Sequence, residues 1–106
     1  DEAIVLRREI YARRVATLGL SHERSILAGN NLVLSLNKLG LWEESKTLAL
    51  DQLLPEARRS LGADHDLTLR TSHNLAVALM GNPESTRFDL LEAEIILQDV
   101  VQRRRR

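Results

Sequence analysis

The sequence contains no cysteine, and this absence excludes disulfide bonds, cysteine-ligated zinc sites and thiol nucleophiles together. Proline and glycine are also sparse, with two and five residues among 106, which argues against a chain of strands joined by tight turns. There is one Trp, one Tyr and one Phe, so a core must be built from Leu, Val, Ile and Ala. Together these shortages favour a fold of packed helices.

Neither sign of charge is in excess, because 15 basic residues balance 15 acidic ones. The balance holds in each half of the chain, with seven of each sign in residues 1–53 and eight of each in residues 54–106. A nucleic-acid partner would require a basic region, so the sequence predicts none. An apolar run of about 20 residues is also missing, and we expect no association with a membrane. The absence of cysteine fits the reducing cytoplasm, which is the predicted location.

What the sequence does contain is an internal repeat with an offset of 43 residues. Residues 18–26 align with residues 61–69, and both segments begin with Leu-Gly and carry a histidine at the same place. Without a gap, the Asn-Leu pair at residues 31–32 then aligns with the Asn-Leu pair at residues 74–75. A repeat of this length is typical of stacked supersecondary units, each of which buries its apolar face on the next.

A second block also recurs, and it begins with glutamate and ends in a run of arginines. It spans residues 2–14, 44–59 and 92–106. The two blocks alternate in the order B, A, B, A, B, where A and B are the helices of each hairpin. The predicted fold class is therefore all-α, with tandem antiparallel helical hairpins and five helices.

The boundaries of these helices carry local signals. Gly19 and Gly62 stand where the end of a helix favours a residue with positive φ. Ser21 and Asp64 follow them and are predicted to cap the next helix. Within that helix, Gly29, Leu32, Val33 and Leu36 recur at three- and four-residue steps, and we expect this stripe to be buried.

The last hairpin differs from the one before it by a five-residue insertion, which we place at residues 81–86. Pro83 prevents simple continuation of the preceding helix. Thr86 and Asp89 resemble a capping box, in which each residue hydrogen-bonds the backbone of the other. The sequence therefore predicts that the final helix starts at Thr86 and ends in its four arginines, which suit the negative end of a helix dipole.

These residues resemble the tetratricopeptide repeat (TPR) of kinesin light chains, which has hairpins of about 42 residues. In that family, helix A follows Gly-x-x-His-Pro-Asp-Thr-Leu and carries Asn-Asn-Leu-Ala, and helix B starts near Glu-Ala-Glu and closes on Arg-Arg-x-x-Leu-Gly. The matching positions are residues 61–76, Asn30-Asn31-Leu32, Glu2-Ala3 and Glu92-Ala93-Glu94. The resemblance covers essentially the whole chain and names a module that also occurs in fused scaffold proteins.

Several positions depart from the family pattern. The proline of the His-Pro-Asp motif is Glu23 in one unit and Asp66 in the other. The aromatic residue that opens helix B is present as Trp42, but in the second unit it is displaced to Phe88 or lost to Leu90. These departures, with the insertion, leave the geometry of the last hairpin open.

The resemblance implies a single TPR-like domain, part of a right-handed α-solenoid. Residues 1–18 would be helix B of a partial repeat, residues 19–61 a full repeat, and residues 62–106 a full repeat with the insertion. Because the chain starts without Met and stops before a further Leu-Gly, we expect it to be a piece of a longer array.

In such a stack the A helices line the concave side, and the residues beside the buried stripe face this groove. Asparagine offers a donor and an acceptor, so it can hold both polar groups of a peptide backbone. Leu34 and Val77 would supply an apolar floor, and Arg70 would receive an acidic side chain. The resemblance implies the same use, because kinesin light chain repeats hold short cargo segments in this groove. The predicted peptide-binding residues are Asn31, Asn74, Arg70, Asn30, Asn37, Lys38, His73, Leu34 and Val77.

Structural roles compete with several of these assignments. Asn31 and Asn74 could instead bridge neighbouring A helices by hydrogen bonds, and Leu34 and Val77 could be covered by a following helix. His22 and His65 stand at helix starts, where a ring caps or packs more readily than it binds a metal ion. The arginine tail fits the polar end of a helix better than a basic targeting signal or a phosphate contact.

Signatures of catalysis are missing from the sequence. There is no glycine-rich phosphate loop, no Gly-x-Ser-x-Gly and no His-x-x-x-His pair. We therefore predict a protein that is not an enzyme and that has no catalytic residue, metal site or cofactor. Two hypotheses remain: a protein-interaction module that binds a peptide of a partner protein, or a structural segment of a longer array that stacks on neighbouring repeats or self-associates. The second is motivated by Ile10, Tyr11, Val100 and Val101, which have no obvious neighbours in the sequence pattern.

Overall fold

The structure, a computed structural model, describes residues 1–105. Its helices are α1 (Glu2–Leu18), α2 (Glu23–Lys38), α3 (Trp42–Thr47), α4 (Leu54–Ser60), α5 (Asp66–Gly81) and α6 (Arg87–Arg104). A π-helical segment, Leu48–Leu53, joins α3 to α4, so residues 42–60 form one rod and the fold has five rods. No strand occurs among these 105 residues. The predicted all-α fold with five helices is confirmed.

The helix ends follow the sequence signals in part. Gly19 and Gly62 have φ of 88° and 95°, which confirms the predicted positive φ at both turns. The predicted caps Ser21 and Asp64 are wrong, because the helices begin one residue later. His22 and His65 are the capping residues, and the ring Nδ1 of each accepts the N–H two residues ahead at 3.1 Å. The first N–H groups of a helix have no backbone carbonyl to bind. A histidine in extended conformation just before the helix places its Nδ1 close enough to accept one of them.

The start of α6 agrees with the prediction. The Thr86 hydroxyl accepts the Asp89 N–H at 3.1 Å, and the Asp89 carboxylate accepts the Thr86 N–H at 2.9 Å, so the capping box is confirmed. The link between α5 and α6 comprises residues 82–86, because Gly81 still belongs to α5.

The π-helical segment in the third rod was not predicted, and Pro55 explains it. Proline has no N–H to donate to the carbonyl four residues earlier, and its ring collides with that carbonyl in a regular α-helix. Before Pro55 the hydrogen bonds widen, and the Leu54 N–H is donated to the Ala49 carbonyl five residues back. The wider turn keeps residues 42–60 helical across the proline.

Each helix packs against its neighbours in the chain. Helix α1 lies on α2, α2 lies on both the third rod and α5, and α5 lies on the third rod and α6. Helices α1 and α6 are at opposite ends and do not pack on each other, and the molecule is flattened, with extents of 37 × 33 × 19 Å. This order of contacts is compatible with tandem hairpins, and the solenoid arrangement and its handedness stay predictions.

The predicted buried stripe of α2 is confirmed, since Leu32, Val33 and Leu36 are at most 4% exposed. Gly29 allows the closest approach in this core. A Cβ at this position would collide with the side chain of Leu53, which is fully buried in the third rod, and would touch Tyr11 of α1. Because Gly29 has no side chain, α2 can pack closely against both the third rod and α1 at this position.

The expectation that the terminal helices lack neighbours is wrong for two of its four residues. Tyr11 packs against the core and its hydroxyl donates to Gln52 of the third rod at 3.1 Å, and burial raises the pKa of the Tyr11 phenol. Val100 is buried at the inner side of α6. Ile10 and Val101 remain exposed, at 36% and 48%.

Candidate functional site

The amide of Asn30 is buried between α2 and α5. Its Nδ2 donates to the Leu67 carbonyl at 3.4 Å, and its Oδ1 accepts the Thr71 hydroxyl at 3.0 Å. Because both ends of the amide are engaged with α5, Asn30 fixes the distance and register between the two A helices.

Asn37 repeats this arrangement two helical turns later. Its Nδ2 donates to the Asn74 carbonyl at 3.2 Å, and its Oδ1 accepts the hydroxyl of Ser45 from the third rod. The bridging role left open for Asn31 and Asn74 thus belongs to Asn30 and Asn37 instead. Their assignment as direct peptide contacts is corrected here, since they are 3% and 8% exposed and both amide ends already have partners.

The side chains of Asn31 and Asn74 are placed differently. Asn31 is exposed, and its backbone carbonyl accepts a hydrogen bond from Arg7 of α1 at 2.9 Å. Asn74 is 6% exposed. Among residues 1–105, the side-chain polar atoms that are fully buried and lack a hydrogen-bond partner are the hydroxyl oxygens of Ser25 and Thr68, so the amide atoms of Asn74 are not fully buried. Neither side-chain amide makes a hydrogen bond within residues 1–105. Both amides therefore keep unused hydrogen-bonding capacity, Asn31 at the surface and Asn74 in a largely buried position.

A cavity of about 330 Å³ lies between α2 and α5 where these amides meet, and we call it the α2–α5 cavity. It is lined by Leu27, Asn30, Asn31, Leu34, Arg70, His73, Asn74 and Arg104. Six of the nine residues predicted from the sequence are therefore brought together. The volume is at the lower end of small-ligand sites, which span about 300–1,000 Å³, and suits one or two side chains of a peptide.

Three predicted residues do not line this cavity. Asn37 is enclosed between the helices, Lys38 is exposed at the last residue of α2, and Val77 is half-buried. The second apolar wall is Leu27, one turn before Asn31, and the exposed fractions of Leu27 and Leu34 are 41% and 43%. The apolar floor is therefore formed by α2 and not, as predicted, by one residue from each A helix.

Two arginines share one carboxylate at the edge of the cavity. Arg70 Nε lies 2.9 Å from Asp66 Oδ2, and Arg104 Nη1 lies 3.2 Å from Asp66 Oδ1. The three groups carry a net formal charge of +1. All three side chains are about half exposed, at 46–57%, and an ion pair this exposed is worth less than about 1 kcal/mol. A ligand carboxylate can therefore exchange with Asp66 at small cost.

Arg104 was not predicted as a site residue, because the arginine tail was interpreted as the polar end of a helix. Its neighbour Arg103 explains its position: the Arg103 guanidinium binds Asp64 at 2.7 Å and Asp99 at 2.9 Å, and hydrogen bonds to Asp64 and then Asp99 raise the pKa of Arg103. The contact with Asp64 holds the last turn of α6 against the turn that precedes α5. A contact between residues 38 positions apart leaves no local sequence signal.

The three histidines of the chain have two different roles. His73 lines the α2–α5 cavity, whereas His22 and His65 cap helices. Over residues 1–105, no group of three or more His, Asp or Glu side chains is arranged to hold a metal ion. None of the helices in this range combines the length and apolar character that a bilayer crossing demands.

Comparisons of the chain with protein-family models, with curated proteins and with solved structures found no match in any of the three.

Proposed function

We propose that this chain is a protein-interaction module that holds a short peptide segment of a partner protein in the α2–α5 cavity. The observation that carries the proposal is the contrast between two pairs of amides. Asn30 and Asn37 are satisfied within the fold, while Asn31 and Asn74 reach the cavity with their hydrogen-bonding capacity unused. A primary amide can donate to a peptide carbonyl and accept a peptide N–H, which is what an extended backbone requires.

The other walls of the cavity define the side chains that the peptide should carry. Leu27 and Leu34 offer apolar surface to one anchor residue. Arg70 and Arg104 can transfer their hydrogen bonds from Asp66 to an acidic residue of the ligand, and a guanidinium recognises a carboxylate in a planar, two-point geometry. The ligand class is therefore an extended peptide with an acidic residue close to an apolar one.

The resemblance to kinesin light chain repeats supports the same use, as these repeats hold cargo segments in the equivalent groove. In the proposed role the chain needs no cofactor and catalyses no reaction. The partner is a protein or peptide, not a nucleic acid or a membrane. The cytoplasm is the proposed location, since the sequence has no cysteine to stabilise it outside a reducing compartment.

The proposal can be tested with a peptide array followed by affinity measurements on the selected peptides by fluorescence anisotropy. Asn31→Ala and Asn74→Ala should each weaken binding by about fivefold to tenfold, which corresponds to the loss of about 1 kcal/mol per hydrogen bond. Thr17→Ala, which removes an exposed polar group from α1 outside the cavity, is the control and should leave the affinity unchanged. Selected peptides that bind both asparagine variants as tightly as the parent chain would contradict the proposal.

A second candidate function is a structural segment that stacks on neighbouring repeats or on another copy. One specific observation favours it: apolar side chains remain exposed on both terminal helices. On α1 these are Val5 and Leu6, at 63% and 56%, and on α6 they include Phe88 and Ile95, at 73% and 65%. Exposed apolar surface of this kind is a frequent mark of protein association.

A further inference from the structure

Helix α6 carries apolar side chains on nearly all of its sides but buries few of them. Ala93 and Val100 are buried against the rest of the chain. In contrast, Phe88, Leu91 and Ile95 are 73%, 52% and 65% exposed. These three side chains follow one another at steps of three and four residues, so they share one outer side of α6 that has no neighbour in the folded chain.

A groove lies between α5 and α6 on another side of α6, and we call it the α5–α6 groove. Its volume is about 630 Å³, roughly twice that of the α2–α5 cavity. It is lined by Met80, Leu90, Glu94, Leu97, Gln98, Val101, Gln102 and Arg105. Apart from Met80, every lining residue belongs to α6 or, as Arg105, follows directly after it, so the groove presents chiefly one face of a single helix.

The preceding hairpin shows what covers the corresponding groove. There, α5 packs between α2 and the third rod, and the amide of Asn37 holds it by hydrogen bonds to the Asn74 carbonyl and the Ser45 hydroxyl. The 43-residue offset places Met80 at the position of Asn37. The offset between the B helices places Ala93 at the position of Ser45. The α5–α6 groove therefore lacks the polar bond that selects a following A helix, and it offers apolar contact instead.

The charges along the groove select a partner orientation. Glu94, Gln98 and Gln102 of α6 and the capping residue Arg105 follow one another at steps of four, four and three residues, so they share one face. The acidic group is at one end of this row and the basic group is at the other. Within residues 1–105, neither Glu94 nor Arg105 belongs to an ion pair. A row with opposite charges at its two ends is complementary to itself when a second copy is turned end for end.

We propose that the α5–α6 groove binds a second copy of this chain, with the two α6 helices antiparallel across a two-fold axis. Glu94 of each copy then lies opposite Arg105 of the other, and this ion pair forms twice. Between the two pairs, Leu97 and Val101 of the two copies pack together. A parallel arrangement would instead bring like charges together at both ends. The proposal does not rest on peptide binding, because no residue that lines the α5–α6 groove also lines the α2–α5 cavity.

The test is sedimentation equilibrium of the chain and its charge-reversal variants across a wide range of concentrations. The parent chain should show a reversible monomer–dimer equilibrium. Glu94→Arg and Arg105→Glu should each raise the dimer dissociation constant by about tenfold or more, since each places like charges opposite each other twice. The double variant exchanges the two charges, so it should restore the parent constant. Glu84→Arg, in the exposed link before α6, is the control and should have no effect.

Far-ultraviolet circular dichroism of every variant shows whether the helices are intact, so a loss of dimer can be separated from a loss of fold. Three results would overturn the proposal. The first is a parent chain that stays monomeric at all concentrations. The second is a dimer that both single reversals leave unchanged, or that the double variant fails to restore. The third is continued growth beyond the dimer, which would indicate head-to-tail stacking of unlike ends.

Discussion

Asn30 and Asn31 are neighbours in the sequence, yet their amides have different surroundings. One residue of an α-helix is a rotation of about 100°, so the first amide points at α5 and the second at open space. The same rotation separates Asn37 from Lys38. Residues with the same chemistry are thereby divided between holding two helices together and facing the proposed ligand.

This division predicts unequal effects on stability. Asn37→Ala should lower the free energy of unfolding by about 2 kcal/mol, because it leaves the fully buried Ser45 hydroxyl and the Asn74 carbonyl without the bond that Asn37 supplies. Asn31→Ala should change it by less than about 0.5 kcal/mol, since the Asn31 amide has no partner in the fold. Urea denaturation of both variants measures the two values. Equal losses of stability would show that the two amides are not divided in this way.

Gly29 allows a second prediction at the residue scale. Alanine is the better helix former by about 1 kcal/mol, but an added Cβ would overlap the fully buried Leu53 side chain, and such overpacking costs about 1–3 kcal/mol. Gly29→Ala should therefore be destabilising on balance. In a Leu53→Ala background the overlap is gone, so the same change should become neutral or stabilising, which a double-mutant cycle by thermal denaturation can measure. A destabilising effect of equal size in both backgrounds would contradict the packing explanation.

The sequence was enough to predict which residues of α2 are buried, but not which of its asparagines are enclosed. Three- and four-residue steps identified Gly29, Leu32, Val33 and Leu36 as the buried stripe, because burial on a helix is periodic. The separate roles of Asn30 and Asn31 could not be derived, since both lie beside the stripe. Which of them is enclosed depends on where α5 packs, and that is a tertiary property.

At the scale of elements, the first turn of α6 is held by Thr86 and Asp89. Thr86→Ala removes the side chain that accepts the Asp89 N–H, and it should destabilise the fold by about 1 kcal/mol. Arg87→Ala changes the exposed residue on the other side of Thr86 and keeps the capping box. Chemical denaturation compares the two variants, and a loss no larger for Thr86→Ala than for a solvent-exposed substitution elsewhere would count against the cap.

The same turn predicts a dependence on pH. The hydrogen bond from the Thr86 N–H, together with the positive charge of Lys46, lowers the pKa of Asp89 from its usual value of 3.8. A carboxylate with a lower pKa in the folded state stabilises the fold above the usual value and loses this effect as the pH falls through the folded-state value. The stability difference between the parent chain and Asp89→Asn should therefore shrink on acidification below about pH 4. Denaturation at a series of pH values measures it, and a constant difference would exclude the capping carboxylate as its source.

The ends of the helices differ in how clearly the local sequence marks them. Gly19, Gly62 and the Thr86–Asp89 capping box mark helix ends with local chemistry, and all were predicted correctly. The caps at His22 and His65 were assigned one residue too early, because serine and aspartate are more usual at that position. The π-helical segment had a visible cause in Pro55, but the length of helix that survives a proline depends on the packing around it.

At the scale of the whole molecule, the proposed binding site joins the first turn of α5 to the last turn of α6 around Asp66. Arg104→Ala should lower the affinity for an acidic peptide by about threefold to fivefold, and Asp66→Asn should raise it by a similar factor because it removes a competing carboxylate. Anisotropy titrations with a peptide and its amide-substituted analogue measure both changes. If the affinity for the neutral analogue shifts equally, the arginines do not recognise the acidic residue.

The sequence repeat predicted the order of the five rods. Six of the nine residues predicted from it line one cavity in the structure. It could not predict that Arg104 joins them, because that contact arises where the end of one helix meets the start of another. It also could not show that α6 leaves its outer side uncovered. Both features depend on how complete hairpins pack, and a repeat describes each hairpin separately.

The most direct test of the central claim is a nuclear magnetic resonance titration of the isotope-labelled chain with an array-selected acidic peptide. The side-chain amide resonances of Asn31 and Asn74 should shift together with the backbone signals of Arg70 and His73. The buried amides of Asn30 and Asn37 should keep their hydrogen-bonded shifts. Perturbations confined to the outer face of α6 or to α1, with the Asn31 and Asn74 amides unchanged, would contradict peptide binding in the α2–α5 cavity.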